Sequence, residues 1–348
     1  MSATRAVISA MSLMSPAGIG VEPFREAVLT GRPSPGGRVE DFRTEPPAGS
    51  GRPVRLIDRP SAMALATIGT LLGEDVLAGW PPARRGLVLA SGAAGIDQSM
   101  TLTRDSLTRP RPDNVNPALV PACVMNYASG QAAIAHDLRG PNATVTAGRA
   151  GGLAALRYAR LLLARDRADA VVCGAYDDLN ERRIAIAEAA GLKATASEGS
   201  CVFLVEPAER ALSAGRPVRA EILALESGVF AEPRDAAGVL AAAVDRALDA
   251  AATAPGDVGL IVPAGTEDTD LPDLAHARVV RTADLIGDVF GAMSAFQIAA
   301  AIIGGDLAGD GPALVTSIDP DGHAACCLLR TDPATGSAVQ TDEGEPGA

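Results

Sequence analysis

GLVLASG (Gly86–Gly92) returns as GLIVPAG (Gly259–Gly265), an offset of 173 residues in a chain of 348. A repeat at half the chain length means that one supersecondary unit has been used twice. Each copy is followed by a pair of apolar runs, DAVVCGA and SCVFLVEP (Asp169–Ala175, Ser200–Pro207) in the first half, PALVTSI and AACCLLRTDP (Pro312–Ile318, Ala324–Pro333) in the second. The halves also open alike, with a strand and a helix at Ala6–Ala10 and Val21–Leu29, then at Arg219–Leu225 and Ala236–Ala251. The runs at Gly86 and Asp169 are apolar without alternation, the pattern of strands covered by helices on both faces. Further strands read at Ala143–Thr146 and Cys201–Val205, and helices at Ser61–Gly79 and Ala150–Ala164. The fold class is therefore α/β, built from two similar halves. The only linker-like stretch is the polar patch Glu206–Pro217, which divides a half at 1–210 from one at 211–332. Arg32–Gly51 and Thr108–Pro117 read as loops, and 333–348 as a polar, disordered tail.

Acidic residues outnumber basic ones 42 to 30, for a net charge of -12, so no overall basic field exists to hold nucleic acid or an anionic membrane surface. At 47% hydrophobic and 21% charged residues the chain has ample core, yet no apolar run reaches the ~20 residues of a membrane span. Only 3% of residues are aromatic, so packing depends on close approach of small residues. The five cysteines (Cys123, Cys173, Cys201, Cys326, Cys327) are odd in number and show no CxxC spacing, which points to a reduced, cytoplasmic protein without disulfides. Three scattered histidines and no carboxylate set at ligand spacing argue against a metal, and no motif calls for a cofactor.

Three segments carry a family resemblance: TRAVISAMSLMSPAGIGVEPFREAVLTG (Thr4–Gly31), NPALVPACVMNYASGQAAIAHDLRGPNATVTAGRAGGLAALRYAR (Asn116–Arg160) and RADAVVCGA (Arg167–Ala175). Together they look like the β-ketoacyl synthase branch of the thiolase fold. The resemblance implies a duplicated αβαβα sandwich that dimerises across the strand Ala143, Thr144, Val145 and Thr146.

An active ketosynthase needs a nucleophilic cysteine at a strand-to-helix elbow, where the helix start lowers the thiol pKa and backbone amides stabilise an oxyanion. By the resemblance that position is Arg149. The two family histidines fall at Ala264, in Ala264-Gly265-Thr266, and at Asp288, after Gly287; the family lysine falls near Ala283. Nucleophile, histidines and lysine are thus all replaced. One subfamily combines this fold with a dead elbow: the chain-length factors, non-catalytic partners of type II polyketide ketosynthases. Their elbow typically reads Gln-Ala-Gly-Gly-Leu, and this chain has Arg149-Ala150-Gly151-Gly152-Leu153. The resemblance implies a heterodimer with a catalytic ketosynthase, an acyl carrier protein reached through that partner, and a polyketide acyl chain in a shared tunnel. The family's Phe-bearing gating loop is replaced by Ser317–Gly322, and the segment Leu179–Ser200 is compressed. Rival readings are a divergent malonyl-decarboxylating or condensing enzyme, and a homodimeric acyl-binding relic.

A cation at Arg149 opposes the helix dipole by about 0.3–1 kcal/mol, so it needs compensation. Glu267, Asp268 and Asp288 offer an ion-paired plug; the alternative is a side chain turned to solvent or to the partner. Ala93, Ile96, Ser99, Met100 and Thr103 share one face at helical spacing, as a tunnel wall by resemblance or as an ordinary core stripe. Leu119 and Met125 flank the segment that crosses the dimer axis in this fold, and Asp113 is either a turn residue or a polar group facing the chain. Cys326 and Cys327 alternate faces of a strand and read as core filling.

Overall fold

The fold was obtained as a computed structural model describing residues 5–44, 57–73, 76–189, 191, 196–263 and 271–331. The strands are β1 (Ala6–Ser15), β2 (Gly18–Ile19), β3 (Arg85–Ala90), β4 (Asn142–Val145), β5 (Ala170–Asp177), β6 (Gly199–Pro207), β7 (Ala220–Val229), β8 (Leu260–Val262), β9 (Arg278–Val279), β10 (Ala313–Asp319) and β11 (His323–Thr331). Apart from β2, which pairs with β1, they run in the order β4-β3-β5-β6-β1-β7-β11-β10-β8-β9. The order is a palindrome of the duplication: β3 and β8 are the two copies of the opening repeat, and each carries a parallel neighbour on both sides. The β5–β6 and β10–β11 pairs are both antiparallel. Only two residue pairs, Val7↔Glu221 and Ile8↔Ala220, join β1 to β7, so the sheet is continuous but narrow-waisted.

The helices are α1 (Val21–Thr30), α2 (Arg59–Leu72), α3 (Ile96–Thr108), α4 (Tyr127–Ala135), α5 (Gly151–Ala164), α6 (Glu181–Ala189), α7 (Ala208–Ser213), α8 (Ala236–Ala250), α9 (Thr282–Ile286), α10 (Met293–Ile303) and α11 (Gly305–Ala308). Helices α5 and α10 lie together between the two half-sheets, with α2 and α4 outside the first and α8 outside the second. This is the five-layered, thiolase-like sandwich. Every residue of α10 is buried, so its run MSAFQIAAAII, apolar but for Ser294 and Gln297, shows no amphipathic period. Helices α5 and α10 approach through Gly152, where an added Cβ would stand 2.3 Å from the Ala295 nitrogen. Strand β5 is buried along its whole length, as its unbroken apolar run requires.

Three expectations are corrected. The helix expected at Ser61–Gly79 ends at Leu72, where Gly73 turns the chain at φ 50°. Ala93 precedes α3, which begins only at Ile96 after the left-handed Gly95. The patch Glu206–Pro217 is no loose linker. Glu206 is buried in β6, Arg216 donates to both its oxygens at 2.6 and 2.8 Å while stacking on Trp80, and α7 occupies the middle. Ala264, Glu267 and Asp268 lie outside the described residues, as does the tail 333–348.

Gly152→Ala is expected to destabilise the protein by about 1–3 kcal/mol, because the helix pair has no room to give. Gly238→Ala, in α8 with nothing within 4 Å of the new methyl, should stabilise it by about 0.5–1 kcal/mol. Urea unfolding of the two variants measures both.

Candidate functional site

Helix α5 begins with a 3-10 turn, Gly148–Ala150, and Arg149 sits at its centre. Gly148 has φ +48°, and no side chain of the turn caps the helix. The cap comes from the other half: the Arg149 N–H donates to Asp319 Oδ2 at 2.7 Å. The guanidinium turns the other way and donates through Nη2 to Asp288 Oδ2 at 2.6 Å, in a pair whose side chains are 20% and 13% exposed. Asp288 is itself held. Its Oδ1 accepts the Phe290 N–H at 2.8 Å, and its carbonyl accepts from Arg183 Nη2 and from the Ser197 N–H, both at 2.9 Å. Arg183 is buried, donates to the Asp178 and Ser197 carbonyls, and lies over the Phe290 ring at 5.5 Å. The two positions that the resemblance gives to the elbow and to one family histidine are thus adjacent, and an ion pair joins them.

The start of α10 repeats this geometry. Phe290 has φ +53°, followed by Gly291, whose N–H donates to Asp177 Oδ2 at 2.7 Å. Asp177 also accepts from Ser91 Oγ at 2.6 Å and from the Gly92 and Ala93 N–H groups at 3.0 Å. Burial pushes the Asp177 carboxyl above its ordinary value, while Arg183 and the bonds from Ser91, Gly92 and Ala93 pull the other way. The offset from Arg149 to Gly291 equals that from Asp177 to Asp319, 142 residues. Each central strand therefore ends in an aspartate that caps the central helix of the opposite half. Sequence reasoning missed Asp177, Arg183 and the role of Asp319; the available signal was an aspartate closing an apolar strand run in each half.

The remaining candidates divide by location. Ala283 is half-buried on α9. Ala93 is buried, fixed by its bond to Asp177. Ile96, Ser99, Met100 and Thr103 lie on α3, none of whose residues is buried in this chain. The Thr103 hydroxyl donates back to the Ser99 carbonyl at 2.8 Å, and Ser99 Oγ to the Cys123 carbonyl at 3.4 Å. Leu119 is half-buried in the 3-10 turn Pro117–Cys123, and Met125 is exposed just beyond it. Asp113 stands in an exposed turn, paired with Arg111 at 2.9 Å. Ala143, Thr144 and Val145 are half-buried on β4, an edge strand that among the described residues is bonded only to β3, and Thr146 follows it exposed. Beside β4, Val145, Tyr158, Leu161 and Arg157 line an open groove of ≈ 540 Å³. Among the described residues no three His, Cys, Asp or Glu side chains converge as a metal would require, and no helix is long and apolar enough to cross a membrane.

Residues 38–207 match the family described as β-ketoacyl synthase, N-terminal domain. This chain is ketosynthase-like. The solved structure described as the ishigamide ketosynthase/chain length factor is 29% identical, with a TM-score of 0.79 over 94% of this chain and 99% of that one. A ketosynthase solved with its type II polyketide acyl-carrier protein has the same fold, at a TM-score of 0.81 and 16% identity over 95% of this chain and all of that one. Among curated sequences, the actinorhodin polyketide β-ketoacyl synthase 2 of Streptomyces coelicolor is 28% identical over 82% of this chain and 77% of its own length. The 3-oxoacyl-[acyl-carrier-protein] synthase 2 of Rhizobium meliloti is 27% identical, and the ketosynthase-like chain spans 63% of that protein's length.

Arg149→Ala leaves Asp288 without its guanidinium and should cost about 2 kcal/mol, whereas Arg149→Gln can still donate to the carboxylate and should cost less than half as much. Chemical denaturation of both variants at pH 7.5 decides the order. A second expectation concerns Asp178, whose carboxyl is pushed up to about 6 by burial, with Asp177, Glu198 and Asp58 adding to the shift and the bond from Asn180 opposing it. The folded state then holds this proton more tightly than the unfolded state, so stability is lost as pH rises through about 6. Between pH 5.5 and 7.5 the loss is about 0.8 kcal/mol, and Asp178→Asn should remove that increment from the pH dependence. Urea midpoints at the two pH values, wild type against variant, measure it.

Proposed function

We propose that this chain is a non-catalytic chain-length factor: it pairs with an active ketosynthase in a type II polyketide synthase of the cytoplasm and lines part of the acyl tunnel. The observation that carries the reading is the ion pair Arg149–Asp288, which fills the elbow of a ketosynthase-like fold with groups that neither attack a thioester nor polarise a malonyl carbonyl. The likeness to the ishigamide ketosynthase/chain length factor supports the same reading. The reaction served is decarboxylative condensation of malonyl units on an acyl carrier protein, with the partner supplying cysteine and histidines and receiving the carrier protein. The proposed halves are 1–210 and 211–332.

A second observation favours a partner. Gly86 and Arg149 are 63 residues apart, but their counterparts Gly259 and Gly291 only 32, so the first half carries about one helix and a turn more than the duplicated unit needs. That surplus is the region of α3 and the Pro117–Cys123 turn. With α4 it exposes Met100, Leu107, Val120, Val124, Met125 and Ile134, of which Leu107 is 80% and Ile134 74% exposed. Next to it runs the open edge of β4. Obligate interfaces resemble a core cut in half, and such a face left uncovered drives self-association.

Expressed alone, the chain should therefore aggregate or self-associate, and coexpression with a cysteine-bearing ketosynthase should yield a heterodimer by size exclusion and light scattering. A monodisperse monomer, or a homodimer that ignores the ketosynthase, would overturn the reading, as would malonyl decarboxylation by the purified chain alone. In a reconstituted heterodimer, Ser99→Phe or Thr103→Phe should shorten the product. Each methylene denied burial costs the acyl chain about 0.8 kcal/mol, so blocking two carbons disfavours the last extension about tenfold. Mass spectrometry of products, normalised to heterodimer concentration, reads the effect; unchanged lengths from both variants in an active complex would remove α3 from the tunnel.

A further inference from the structure

We infer that Asp319 is a built-in anion: its carboxylate occupies the amide cradle at the start of α5, so the elbow is closed to an acyl oxyanion by the chain itself, independently of the missing nucleophile and of any partner subunit. The first residues of a helix present unpaired N–H groups and the positive end of the dipole, and they attract a negative oxygen. Here the local sequence supplies no such oxygen to α5; the second half supplies two, the neutral Ser294 Oγ at the Leu153 N–H and, from 170 residues away, the charged Asp319 Oδ2 at the Arg149 N–H. The backbone is shaped around it. A Cβ on Gly148 would stand 1.7 Å from Asp319 Oδ2, so with the carboxylate seated the turn before Arg149 admits only glycine there.

The carboxylate is also fixed from its own side. Asp319 is 4% exposed; its Oδ1 accepts the Asp321 N–H at 3.0 Å and its carbonyl the Gly322 N–H at 3.1 Å, which ties the tip of the β10–β11 hairpin. Pro320 follows it and has no N–H, so the loop that lies over the elbow offers no amide from that residue. At the other central helix Asp177 makes the equivalent bond to Gly291. A strand-end carboxylate is therefore a structural brace in both halves. In the first half the brace happens to fall on the amide that acyl-transfer chemistry would need.

Chemical rescue tests this. Asp319→Ala deletes a carboxylate and leaves a space of its shape, with the Arg149 amide bare. The variant should melt several degrees below wild type, and 100 mM sodium formate should restore a few degrees of that loss, while sodium chloride at equal ionic strength and neutral formamide should not. Wild type should show no formate-specific shift. Should Asp319→Ala fail to fold, the isosteric Asp319→Asn serves. Placed in an Arg149→Cys background, it should speed iodoacetamide alkylation at residue 149 by about tenfold at pH 7.5 relative to Arg149→Cys alone, read by site-resolved mass spectrometry, because with Asp288 common to both variants a thiolate at a helix start is favoured once the carboxylate on its own N–H is gone. Equal effects of formate and chloride, or equal alkylation with and without Asp319, would overturn the inference.

Discussion

Two carboxylates, Asp177 and Asp319, each buried at the end of a central strand, hold the starts of the two central helices. Each reaches across to the helix of the opposite half. The constraint is exacting because a helix start buried in a sandwich has no water to satisfy its amides, and an unpaired buried donor costs about 1–3 kcal/mol. Both helix starts use a left-handed residue to aim the next N–H at the carboxylate: Gly148 in one case, Phe290 in the other. A phenylalanine in that conformation carries backbone strain of about 1–3 kcal/mol. Its ring is placed by that turn over Gly92, where a Cβ would be 2.4 Å from it, and beneath Arg183, so the strain is offset by packing at the same loop.

From this frame the arrangement around Arg149 follows. A protein whose fold already spends a carboxylate on the elbow amide has no free oxyanion site there, and Arg149 adds a cation that Asp288 neutralises. The charges arrange themselves as two acids around one arginine, all drawn from positions where the ketosynthase resemblance expects catalytic or gating groups. Such a site is a joint between halves. Among the described residues the outward-facing α3 belongs to the first half alone and breaks the symmetry of the duplication.

Much of this architecture was legible in the chain itself. The offset between GLVLASG and GLIVPAG identified β3 and β8, and unbroken apolar runs identified β5 and β10, because strands covered on both faces leave no polar alternation. Helix α10 was not legible: a helix buried on every side has no period to detect, and its run of alanines and isoleucines could equally be strand. Ser61–Gly79 was over-extended because the stop depends on the backbone turn at Gly73. At the site, the replacement of cysteine, histidine and lysine was visible by resemblance. An ion-paired plug on Arg149 was expected too, with Glu267, Asp268 and Asp288 as candidates, and Asp288 is found paired with it; the seating of Asp319 was not legible, since it joins residues 170 apart through the fold of both halves.

The crossed caps also bear on how the chain is made. During synthesis α5 leaves the ribosome well before Asp319, and at about 5–20 residues per second the intervening 170 residues take roughly 10–30 s. Throughout that interval the first half has its strands and its central helix but not the oxygen that closes the helix start. The second half is equally dependent, since α10 needs Asp177 from the part already emerged. Neither half is a finished folding unit, and the nascent chain carries an uncapped helix start until Asp319 has emerged. Duplication, which in principle gives two domains that fold in turn, here gives one domain that closes only when β10 arrives with Asp319 at its end.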